Sequence, residues 1–189
     1  MPSTCDRILA AALAGFARRG VEATSLDDVA DAVGVRKQTI LYWFGSKDAL
    51  VAGVVTAAVA ELGDALDRAV ASPRPGRPPT VAVVDEVLRL GARRPDLLVL
   101  LREVTRVGPS ATGSLAESIA PRLDGAARAL AGPDSGPVER ERARRRLLEA
   151  GAHVIATAVE AELLTELGVA PDRAWLRRRR ADLLAALAR

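Results

Sequence analysis

Between Thr24 and Leu50 the chain reads TSLDDVADAVGVRKQTILYWFGSKDAL, and this segment constrains the fold more than any other. Gly34 and Gly45 cut it into helical pieces too short to be stable alone, so each must pack against its neighbours. Thr24 followed three residues later by Asp27 is a capping-box signal, and Asp27 and Asp28 suit the positive end of a helix. Leu26, Val29, Ala30 and Val33 supply a short apolar face, which predicts a helix over residues 25–33 stopped by Gly34. The pattern restarts at once, with a second short helix from Lys37 to Phe44 that ends before Gly45. Ser46 is an N-cap for the next, longer helix. There Val51, Val54, Val55, Ala58, Leu62 and Leu66 mark one face. Upstream, Ile8, Leu9, Ala12, Leu13 and Phe16 recur at helical spacing, with Ser3 and Asp6 as a capping box and Gly20 as a stop, giving a helix over 4–19.

Two short helices joined by a glycine turn behind a packing helix form a helix-turn-helix unit, whose second helix enters the DNA major groove. The start of that helix offers Arg36, Lys37, Gln38 and Thr39. Lys can donate to guanine O6 or N7, Gln can pair with adenine, and the Thr methyl can touch that of thymine. The chain has five aromatic residues, and Tyr42, Trp43 and Phe44 place three of them side by side here. Phe44 is expected inward, near Phe16 and Ile40, while the rings of Tyr42 and Trp43 can lie against the sugar-phosphate backbone. Lys37 and Lys47 are the only lysines, and Lys47 with the free N–H groups at its helix start makes an anion site suited to phosphate. Asp27, Asp28 and Asp31 would oppose phosphate if they faced DNA, and are expected on the outer, solvent side.

The bulk numbers agree with a folded, helix-rich protein that can meet nucleic acid. Of 189 residues 49% are hydrophobic, and the net charge of +3 permits DNA binding without demanding it. The one cysteine, Cys5, cannot form an internal disulfide, the early apolar patch has its arginines on the wrong side for a signal peptide, and no stretch is long enough for a membrane span. A cytoplasmic location is expected, with no membrane partner. One Cys, one His and no glycine-rich phosphate loop leave no catalytic or metal site to assign, so no enzyme activity and no cofactor are expected.

Beyond the helix-turn-helix, ASPRPGRPP at 71–79 is a proline-rich loop. Helices are predicted near 80–92, 95–107, 114–131, 138–167 and 172–188, with no strand. The fold class is therefore all-α: a three-helix DNA-binding domain over 1–47 and a helical bundle over 48–189, with about nine helices. In the long penultimate helix Leu147, Leu148, Ala152, Ile155, Val159 and Leu163 form a drifting apolar stripe around Ala150, Gly151 and Ala152. Trp175, Leu176, Leu183, Leu184 and Leu187 make the last helix too apolar for a free surface, which points to an interface. Arg177–Arg180 are read as its wet side. His153 falls amid apolar neighbours and is either a packed histidine or a ligand contact. Glu103, Glu160 and Glu162 are read either as pocket contacts or as parts of solvated faces.

The segment TSLDDVADAVGVRKQTILYWFGSKDAL resembles the DNA-binding domain of TetR-family transcriptional regulators over about residues 5–50. Its register carries the resemblance: the paired cap residues, the V-A-x-x-x-G-V turn, the aromatic cluster and the S-K-x-x-L restart. Arg36, Gln38, Leu41 and Gly45 depart from the family's usual residues, so no operator sequence carries over. The resemblance implies that Lys37, Gln38, Thr39 and Tyr42 face bases or the groove, while Trp43, Lys47 and the cap residue Ser25 face phosphates. It implies a homodimer formed through the last two helices and an apolar pocket for a small-molecule effector, with His153 as a candidate contact. The function expected is a ligand-responsive repressor that binds a palindromic site in double-stranded DNA and is released by a small, largely apolar effector. The alternatives are a helical small-molecule-binding protein that no longer binds DNA, and a plain packing unit in which Tyr42, Trp43 and Phe44 are all core.

Overall fold

The computed structural model describes residues 2–71, 79–97, 99–100 and 109–188. Its helices are α1 Thr4–Arg19, α2 Leu26–Val33, α3 Lys37–Phe44, α4 Lys47–Ala71, α5 Pro79–Arg93, α7 Pro109–Ala131, α8 Pro137–Glu166 and α9 Arg173–Ala188, with α6 represented by the helical residues 95–97 and 99–100. No strand occurs among the described residues. The expected loop at 71–79 and the end of the helix expected over 95–107 lie largely outside them.

Helix starts and stops follow local chemistry. Ser3 caps α1 in a reciprocal capping box with Asp6, and α1 ends at Gly20. The cap of α2 is one residue later than expected. Ser25 accepts from the Asp28 N–H while the Asp28 carboxylate accepts from Ser25. Thr24 instead is buried and donates its hydroxyl to the Gly20 carbonyl at 2.9 Å. Gly34 closes α2 in the left-handed conformation at φ 74°, and the Val35 N–H reaches back to the Ala30 carbonyl. Gly45 stops α3, and Ser46 caps the next helix through the Ala49 N–H at 3.1 Å. Helix α7 starts at Pro109, earlier than the expected 114, with proline in the first turn, where its missing N–H costs nothing.

The chain divides into two compact units. The first comprises residues 1–61 and 96–119. Here α1 packs on α2 and α2 on α3. Ile8, Phe16, Val29, Ile40, Leu50 and Val54 are buried in this unit. Phe44 is half-buried rather than central: its ring lies over Gly53 of α4 beside Leu9. Arg7 donates to the Val33 carbonyl at 2.6 Å, tying α1 to the end of α2.

The second unit comprises residues 62–95 and 120–189. Val84, Ala150, Leu183 and Leu187 form its core, with Leu88, Leu130, Leu147, Val154 and Leu184 packed against them. Thus α5, α8 and α9 bury one face of each helix together. Two sequence expectations fail here. In the arginine run, Arg177 and Arg178 are exposed, but Arg179 and Arg180 turn inward to Glu160 and Asp85, each at 2.6 Å. Leu176, expected inward, is 45% exposed, although its spacing of seven and eleven residues puts it on the same side of α9 as Leu183 and Leu187. Among the described residues no helix is long and apolar enough to cross a membrane.

Candidate nucleic-acid interface

Helix α3 is anchored chiefly by Ile40, with Leu41 and Phe44 half-buried. Ile40 is 0% exposed, and much of the rest of the helix is open to solvent. Arg36, Lys37 and Gln38 are exposed and Thr39 is half-buried. Tyr42 is 85% exposed and Trp43 50%, their rings edge to face with centroids 5.9 Å apart. Arg36 occupies the N-cap position without a side-chain cap, so α3 begins with backbone N–H groups that no side chain satisfies. The start of α3 is thus cationic, rich in donors and open, and its far end carries two exposed aromatic rings.

The supporting residues are less free than the sequence implies. Ser25 is exposed at the start of α2, but its hydroxyl is engaged by Asp28 at 2.6 Å. The hydrogen bonds from the Ser25 hydroxyl and N–H hold the Asp28 carboxyl below its usual pKa, and Arg19 at 3.4 Å adds to this. Lys47 is half-buried and donates to the Glu22 carbonyl at 3.1 Å, which fixes the α1–α2 turn to the start of α4. An ammonium has three donors, so this bond still leaves protons for an anion. Lys37 is ion-paired: its Nζ lies 2.8 Å from an Asp27 carboxylate oxygen. Asp27 therefore lies on the recognition-helix side of α2 and not on the outer side expected from sequence. Sequence reading does not single out Arg7, Arg19 and Asp27 as partners. Their contacts join residues 26, 9 and 10 positions apart, and no local periodicity reports them.

His153 departs from its expected setting. It is exposed on α8, and its ring Nδ1 lies 2.9 Å from the Glu149 carbonyl one turn back. It borders a shallow recess of about 70 Å³ where Ala156 and Leu183 meet Thr157, Glu160, Arg179 and Asp182, a setting of mixed polarity. Glu160 accepts from Trp175 Nε1 at 3.0 Å as well as from Arg179, and these bonds, the Arg179 one first, lower its pKa.

Residues 8–54 match the family model of bacterial regulatory proteins, tetR family. The helix-turn-helix domain of the chain is of the tetR type. Solved structures share the fold along nearly the whole chain. A transcriptional regulator from Rhodococcus sp. Rha1 is 22% identical with TM-score 0.74, covering 98% of this chain and 96% of its own. The fatty acid degradation regulator FadR of Bacillus halodurans is 14% identical with TM-score 0.73, covering 95% and 97%. A TetR transcriptional regulator from Legionella pneumophila is 19% identical with TM-score 0.67, covering 97% and 96%. Among curated proteins no sequence match was found. The matched residues place the helix-turn-helix in α2 and α3, with α1 and the start of α4 as its frame.

Proposed function

We propose that the protein is a ligand-responsive transcriptional repressor that binds a palindromic operator in double-stranded DNA as a homodimer. In this reading residues 1–47 bind DNA, and residues 48–189 bind the effector and dimerise. Arg36, Lys37, Gln38, Thr39 and Tyr42 meet bases or the groove, and Ser25, Trp43 and Lys47 lie along the phosphates. The observation that carries it is the exposure of Tyr42 and Trp43 on a helix α3 whose start is open. A packing role for these rings would have buried them. An exposed aromatic pair on a helix that also carries cations is suited to a sugar-phosphate backbone.

Support for the dimer comes from α8. Its inward stripe is Ala143, Leu147, Ala150 and Val154, but a second stripe is left uncovered. Leu148 and Leu163 are 54% and 58% exposed, and Gly151, Ala152 and Ala156 between them are exposed with small side chains. Such a stripe lets a second helix approach closely, and an apolar face of this length marks an interface. A two-fold dimer would present two recognition helices to two half-sites.

The effector proposed is a small, largely apolar molecule bound within the C-terminal helices, which shifts DNA affinity by preferring one arrangement of the dimer. His153 is retained as its candidate contact, although the recess beside it is smaller than the pockets of about 300–1,000 Å³ that enclose drug-sized ligands.

The second reading, a helical small-molecule-binding protein without DNA affinity, draws on the Asp27–Lys37 pair, which offsets a cation at the start of α3. Fluorescence anisotropy of a mixed-sequence duplex across a salt series separates the two. The repressor predicts retention at low salt that falls linearly in log–log form as phosphate contacts give way to counterions. Absence of retention at every salt concentration would leave the second reading in place.

A further inference from the structure

We propose that Asp27 is a specificity-determining residue: it holds the Lys37 ammonium as a donor for base edges while removing much of its attraction for phosphates. The inference rests on α3 being the recognition helix. The Lys37 Nζ and Asp27 Oδ2 are 2.8 Å apart, and their side chains are 45% and 64% exposed. A pair this open to water adds little to folding stability, so stability does not account for it. Its consequence lies at the DNA face.

Lys37 is the first residue of α3, and Asp27 lies in the first turn of α2, ten positions earlier. The contact therefore spans the two helices of the motif at the end where α3 offers its base-reading residues. A free lysine is a flexible point charge that finds phosphates on any sequence, and such contacts supply most non-specific affinity. With a carboxylate alongside, the pair presents almost no net charge to a phosphate. The ammonium still has two protons beyond the one directed at Asp27, which suffices to donate to guanine O6 and N7. Holding the stem also removes rotamers that would otherwise be lost on binding.

The other charges nearby leave this role to Asp27. Asp28 is engaged by Ser25 and Arg19, and Lys47 by the Glu22 carbonyl. Arg36, next to Lys37 in sequence, is exposed at the N-cap of α3.

The test compares full-length wild type, Asp27→Asn, Lys37→Ala and the double variant on the duplex that wild type selects and on a scrambled duplex, across a salt series. Thermal unfolding checks the fold of each. Asp27→Asn is expected to tighten scrambled-duplex binding several-fold and to steepen its log–log salt slope by up to about one per protomer. The ratio of selected to scrambled affinity should fall at least about fivefold. In the Lys37→Ala background Asp27→Asn should change that ratio little, because its effect runs through Lys37. An unchanged ratio, or the same change with and without Lys37, overturns the role of Asp27 while leaving DNA binding intact. Wild type that shows no salt-dependent retention overturns the DNA-binding reading itself, and this inference with it.

Discussion

The Thr24 side chain lies directly over Gly15 of α1, so that a Cβ added at Gly15 would stand 2.8 Å from the Thr24 methyl. Thr24 cannot yield easily, since it is 1% exposed and its hydroxyl is bound to the Gly20 carbonyl. Gly15→Ala would normally gain about 1 kcal/mol in a helix interior. Here overpacking costs about 1–3 kcal/mol, so the net change is expected to be destabilising, by up to about 2 kcal/mol. Thr24→Ser removes the methyl and keeps the hydroxyl, so the double variant should recover most of the loss. Urea unfolding of the four proteins checks this, and a stabilised Gly15→Ala would show that the contact is slack.

Ile40 and Tyr42 are two residues apart in α3 and should behave oppositely. Ile40 is fully buried, and Ile40→Ala is expected to cost about 2–5 kcal/mol. Tyr42 is 85% exposed, so Tyr42→Ala should leave stability within about 0.5 kcal/mol while weakening DNA binding. Circular-dichroism melts with a parallel DNA-retention assay decide it. A large stability loss for Tyr42→Ala would return the aromatic cluster to the core.

Acid should unfold the protein partly through its capping boxes. Hydrogen bonds from Ser3 and Ser25 hold the Asp6 and Asp28 carboxyls below their ordinary value of 3.8, and Arg179 does the same most strongly for Glu160 against 4.5. Folded-state pKa values are lowered, so the unfolded chain binds more protons as pH falls. The stabilisation is present above the unfolded values and is lost as pH drops through the lowered ones. Melting temperature should therefore hold near neutrality and decline from roughly pH 4.5 downward. Ser25→Ala, which frees Asp28, should lower stability at neutral pH by about 1 kcal/mol and flatten the acid decline. A decline as steep as that of wild type would remove the capping box from its cause.

The uncovered stripe of α8 gives a fourth expectation. Leu148→Arg and Leu163→Arg place charges on exposed positions, so the monomer fold should be kept. Sedimentation equilibrium should show the dimer dissociating toward monomer. Loss of two-site binding should weaken retention on a selected inverted repeat by about a hundredfold or more. Variants that remain dimeric would move the interface elsewhere.

Much of the first unit is legible in the sequence because its signals are local. Ser3 with Asp6, Gly20, Gly34, Gly45 and Ser46 mark helix ends within a few residues, and both ends of α3 fall where the pattern puts them. The α2 cap lies one residue from its expected place because Thr24 and Ser25 are both capping types with an aspartate three positions on. Packing of Thr24 onto Gly15, a tertiary contact, settles which of them caps. The Asp27–Lys37 pair escapes sequence reading for the same reason, since nothing local sets Asp27 toward α3. In α8 the apolar residues run along more than one face, so sequence does not say which stripe is inward. His153 accordingly reads as lying among apolar neighbours when it lies on the open side. Arg179 in α9, expected on the wet side, lies inward because the Glu160 carboxylate of α8 holds it there.

The central claim is that α2 and α3 read duplex DNA as a symmetric dimer. Selection of full-length protein on a random duplex library at moderate salt, with sequencing of the retained fraction, tests it most directly. An enriched inverted repeat is expected, whose half-sites lose definition at particular bases in Lys37→Ala and Thr39→Ala. A retained pool with no enriched sequence and no salt dependence would contradict it, and would make the exposed face of α3 something other than a DNA reader.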